Sequence, residues 1–151
     1  MEPKTFEDAL EFAIGREREA VRFYRDLQDM VRFASQKELM NEFEDMERGH
    51  VRLLQGVLEN QEPRRLSKTM PSDLHLDEFL VSSPPTPEMD YQDILLTAIQ
   101  REKRSAALYT RLHADSTDPE LQDVFQRLIV EEENHKHYFE TLYERDIQSE
   151  N

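Results

Sequence analysis

Apolar positions recur along this chain in alternating steps of three and four, the spacing that lines one face of a helix and packs as a bundle seam. The pattern predicts four long helices, over about 6–32, 35–59, 90–113 and 119–145. Start signals agree with it. Thr5 with Asp8 three residues on resembles a capping box, Ser35-Gln36-Lys37-Glu38 reads as another, and Pro119 sits where a helix's first turn needs no N–H. The connections 33–35 and 114–118 are short enough to make each helix pair an antiparallel hairpin. Between the pairs, 61–89 holds five of the seven prolines and reads as a crossover. Leu74, Leu76, Phe79 and Leu80 predict that part of it packs as a short helix. The expectation is an all-α antiparallel four-helix bundle in one domain over 1–151. It is built from hairpin one (5–60), the crossover (61–89) and hairpin two (90–147).

Each seam is apolar at its ends and ionisable near its middle. The first reads Phe6, Leu10, Ala13, Glu17, Ala20, Tyr24, Leu27, Val31, and the second Met40, Phe43, Glu47, His50, Leu54, Val57. The third reads Tyr91, Leu95, Ala98, Glu102, Ser105, Tyr109, Leu112, and the fourth Leu121, Phe125, Leu128, Glu132, His135, Phe139, Leu142. A lone buried carboxylate costs several kcal/mol, so such groups are normally paired or metal-bound.

The second hairpin repeats the first at a constant offset of 85, the separation of Asp8 and Asp93. Leu10, Ala13, Ile14, Arg16, Glu17, Tyr24 and Leu27 recur as Leu95, Ala98, Ile99, Arg101, Glu102, Tyr109 and Leu112. Glu47 and His50 recur as Glu132 and His135 without a gap. Glutamate and histidine three apart on a helix project to one side. Four carboxylates and two divalent ions sum to a near-neutral cluster, and imidazole with carboxylate oxygens suits iron or manganese. The bland alternative is a metal-free polar layer of Glu–His hydrogen bonds. Outside the seams, His137 and the flanking Glu131 and Glu133 read as solvent-facing, His113 as a favourable helix-end charge, and Met40 and Met46 as packing.

Composition narrows the function further. No cysteine is present, which removes disulfides, thiolate-held metals and cysteine nucleophiles. A formal charge of −14 argues against nucleic-acid binding, no apolar run is long enough for a bilayer, and the acidic start lacks a secretory pattern. A cytoplasmic protein is the expectation.

Ala13-Ile14-x-x-Glu17-x-x-Ala20-x-x-Phe23-Tyr24, then Phe43-x-x-x-Glu47-x-x-His50, and their second copies resemble the rubrerythrin branch of the ferritin-like superfamily. The resemblance implies a non-haem di-iron centre that reacts with peroxide or dioxygen, with manganese or mixed occupancy as variants. It implies Glu17 and Glu102 as terminal ligands, Glu47 and Glu132 as bridges, His50 and His135 as caps, and Tyr24 and Tyr109 as partners of the ligand carboxylates. Two departures stand out. Full rubrerythrins carry a cysteine-ligated iron domain, absent here, and their extra glutamate on the third helix aligns with Ser105. Electrons would then come from an external donor protein to a homodimer. The alternatives are iron handling with ferrous ion as substrate, or a metal-free helical adaptor.

Overall fold

A computed structural model describes residues 5–61, 63–66, 70, 79 and 85–148. The chain divides into two compact units, Met1–Leu76 and Asp77–Asn151.

The first unit is a helical hairpin. Helix α1 spans Phe6–Gln28, and α2 spans Ala34–Asn60. Thr5 caps α1: its hydroxyl accepts from the Asp8 N–H at 3.2 Å, and Asp8 accepts in return from the Thr5 N–H at 3.3 Å. α1 stops four residues before the end its seam predicts. The N–H groups of Met30 and Val31 both turn back onto the Leu27 carbonyl, closing the helix in a tight turn. Asp26 and Asp29 lie at this end, where negative charge opposes the helix dipole. Val31 is still buried, so the seam outlasts the helix.

The start of α2 differs from expectation. Phe33, not Ser35, is the N-cap residue, and the Phe33 N–H donates to the Gln36 side chain at 3.1 Å. The Ser35–Glu38 box therefore sits two residues too late to cap the helix. The short helix α3, Pro63–Leu66, follows and packs on α1. Leu66 and Met70 are buried, as is Phe79 in the second unit. Leu74, Leu76 and Leu80 lie outside the described residues.

The second unit repeats the hairpin with α4, Tyr91–Asp115, and α5, Pro119–Asp146. Asp90 caps α4 from the position 85 after Thr5, accepting from the Asp93 N–H at 2.8 Å. Asp118 caps α5 by accepting from the Glu120 N–H at 2.9 Å, with Pro119 in the first turn. Gln122 ties the connection down by donating to the Ser116 carbonyl at 2.6 Å. At the far end, the Tyr91 hydroxyl donates to Asp146 at 3.1 Å, joining the first residue of α4 to the last of α5.

The predicted seams are the buried faces. Every member is buried except Ala20, Tyr91 and Ser105, which are half-buried. Met46 is the exception to the packing expectation: it is 39% exposed, on the solvent side of α2, because it precedes the inward Glu47 by one residue. The three glycines, Gly15, Gly49 and Gly56, all lie inside helices.

Candidate metal centre

Glu17 reaches the buried side of α1 from its middle, and Glu47 and His50 reach that of α2. All three are at most 3% exposed. His50 Nδ1 lies 3.4 Å from Glu17 Oε2 and 3.4 Å from Glu47 Oε2. One donor atom from each residue falls within 4.8 Å of the others.

The second unit builds the same set. Glu102 comes from α4, and Glu132 and His135 from α5, all three buried. His135 Nδ1 lies 3.5 Å from Glu102 Oε2, and the three donor atoms again fall within 4.8 Å of one another. Each predicted ligand thus joins its own hairpin's triad, and each triad holds two carboxylates and one imidazole.

The donor spacing tests whether an ion fits. Hydrogen bonds from imidazole to carboxylate run at about 2.7–3.2 Å, shorter than the 3.4–3.5 Å found here. Neighbouring donors around an ion with bonds of about 2.1 Å sit about 3.0–3.4 Å apart, close to the observed values. Two carboxylates match the charge of one divalent ion in each triad, and no described residue offers a thiolate. The residues fit a hard or borderline cation.

Buried aromatic side chains lie on the same seams as each triad. Tyr24 is fully buried seven residues beyond Glu17, with its ring against Phe23 at 5.1 Å and Phe43 at 5.4 Å. Tyr109 stacks on Phe125 at 6.4 Å. Next to the triads, Glu132 is the one inward member of its glutamate run: Glu131 is half-buried and Glu133 exposed, as is His137. His113 is half-buried in the last turn of α4, while His75 lies outside the described residues.

Two buried charges escaped the sequence reading. Glu44 is buried on α2, where it accepts from Gln28 at 2.7 Å and from Arg48 at 2.7 and 3.0 Å. Burial raises its pKa, but those hydrogen bonds and the nearby charges of Arg48 and Arg25 outweigh it, leaving it below the ordinary glutamate value. The signal available was the Glu44–Arg48 spacing of four. Arg101 is also buried, whereas its counterpart Arg16 is half-buried and pairs with Glu19 at 2.7 Å. The repeat marked that position without revealing the difference.

The whole chain has a counterpart among solved structures. A crystal structure from Thermotoga maritima, of a candidate ferritin-like diiron-carboxylate protein, superposes with a TM-score of 0.79 at 21% identity. The match covers 97% of this chain and 99% of that one. The fold is ferritin-like. No family model and no curated protein matches the sequence. A ferritin-like bundle with buried glutamate and histidine sets at mid-helix is the framework on which carboxylate-bound metal pairs are built. Among the described residues no helix is long and apolar enough to cross a membrane.

Proposed function

We propose that this protein is a non-haem di-iron oxidoreductase of rubrerythrin type, reducing peroxide or dioxygen. The observation that carries the proposal is the recurrence of one buried Glu–Glu–His set in both units, with matching spacing. The ferritin-like fold supports the reading, and so does the diiron-carboxylate description of the Thermotoga maritima protein.

In this reading each triad would hold metal. Following the rubrerythrin resemblance, Glu17 and Glu102 would be terminal ligands, Glu47 and Glu132 bridging ligands, and His50 and His135 caps. The bound iron pair, cycling between ferrous and ferric, supplies the two electrons that with two protons convert peroxide to two waters. Tyr24 and Tyr109 hold the ligand carboxylates in place and exclude bulk water. In this reading the electrons come from a separate donor protein. The protein works as a cytoplasmic homodimer.

Elemental analysis of protein purified without added metal, followed by stopped-flow mixing of the di-ferrous form with peroxide and with oxygen, tests this. Two irons per chain, oxidised within minutes by either reagent, is the expected result. Loading far beyond two irons in a large assembly would point to iron storage instead, and a centre inert to both oxidants would end the proposal.

A further inference from the structure

Five arginines crowd one outer patch of the first unit, in a protein whose formal charge is −14. α1 contributes Arg18, Arg22 and Arg25, and α2 contributes Arg48 and Arg52. They surround a pocket of about 390 Å³ that Val21 and Val51 also line. Like charges four apart on a helix repel and destabilise it. A solvated face avoids this by interleaving acids, as Arg16–Glu19, Arg111–Asp115 and Arg127–Glu131 do elsewhere. Here, among the described residues, Glu44 pairs with Arg48 and its charge also reaches Arg25. Arg18, Arg22 and Arg52 form no ion pair with any described residue.

The internal repeat serves as a control. At the offset of 85, Arg18, Arg22 and Arg25 become Lys103, Ala107 and Thr110, while Arg48 and Arg52 become Glu133 and His137. Lys136, at the place of Val51, lies 3.4 Å from Glu133 in an ordinary ion pair. The duplication thus carries the buried triads in both halves and the arginine pocket in one. A feature absent from the sister hairpin is not required by the hairpin's architecture.

We propose that this pocket binds a small soluble anion carrying a phosphate or pyrophosphate group and a compact apolar part. Guanidinium forks match phosphate oxygens in bidentate fashion. The volume lies in the range of small-ligand sites, and the valines give the apolar part a surface. The Glu44 carboxylate fixes the Arg48 fork in place and leaves the other guanidinium groups for the ligand.

Isothermal titration calorimetry on the full chain as purified, at about 0.15 M salt, with inorganic pyrophosphate and with ADP, decides the matter. Both probes should saturate at one per chain, ADP more tightly. Arg22→Gln with Arg52→Gln should weaken each at least about tenfold, the loss of roughly one charged hydrogen bond. Lys103→Gln with Lys136→Gln should change nothing. Glutamine keeps the helices, so neither variant should lose melting temperature or metal content, separating this result from the fate of the di-iron reading. Absence of saturable binding overturns the proposal. Binding that survives in the arginine double variant, or capture of a polyglutamate peptide with neither probe bound, overturns it as well.

Discussion

His50 Nδ1 stands 3.4 Å from Glu17 Oε2, a separation that suits two ligands of one ion better than a hydrogen-bonded pair. Neither residue is more than 3% exposed, so removing either partner leaves the other in a low-dielectric interior.

The first prediction follows from that pairing. Glu47→Ala or His135→Ala should lower metal content per chain and lower the melting temperature by about 5–10 °C, since an ion present at a hundred or more times its Kd adds about 3 kcal/mol to the folded state. Chelation of the wild type should produce a comparable drop, and further chelator should have little effect on either variant. Metal analysis with scanning calorimetry checks both. Equal melting of wild type and variants would contradict the metal reading.

Glu44 provides a pH-dependent contribution. Its folded pKa lies below the ordinary 4.5, so the folded protein binds this proton less readily than the unfolded chain. The stabilisation is complete above about 4.5 and fades as pH falls through the folded value. Glu44→Gln should therefore melt about 1–2 °C below wild type near neutrality, for a partly exposed pair of about 0.5 kcal/mol. That difference should vanish in acid, as paired melts of the two proteins across pH would show.

Tyr91 behaves in the opposite sense. Burial, followed by the hydrogen bond to Asp146, raises its pKa to about 12. The neutral phenol is the form the fold prefers, so its contribution is whole below about 10 and is lost as pH climbs toward 12. Tyr91→Phe should cost about 1 kcal/mol at neutral pH. Spectrophotometric titration of the variant should lack one late-ionising tyrosine.

The matched caps give a fourth test. Thr5→Ala and Asp90→Ala each remove a side-chain acceptor at the same place in the repeat, at 3.2 and 2.8 Å from the N–H it serves. Each should cost about 1 kcal/mol. Asp90→Ala should be the more costly, because its bond is shorter and charge-assisted. Chemical denaturation of the two variants would rank them.

Most of the fold was legible because the seam residues follow a strict helical period and the glycine-poor helices offer no competing pattern. The buried Glu–His clusters were legible for a related reason: Glu17, Glu47 and His50 occupy seam positions where an apolar residue is expected, and the second copy repeats the substitution in register. What escaped depended on particular contacts, local at the start of α2 and across the hairpin elsewhere. Phe33 took the cap because Gln36 reached back to it, a choice no local preference for Ser35 reveals. Glu44 is buried because Gln28, sixteen positions earlier, and Arg48 satisfy it. The arginine pocket forms from two helices, and neither stretch alone distinguishes it from a charged outer face.

Gly15 lies mid-helix on α1 and is exposed, and a methyl group built there meets no other atom within 4 Å. The chain thus carries avoidable backbone freedom at a spot remote from crowding. Gly15→Ala should raise stability by about 0.5–1 kcal/mol through the entropy of the unfolded state. Thermal headroom is available in this protein from one added carbon, which makes Gly15→Ala a natural background in which to study the more damaging ligand substitutions.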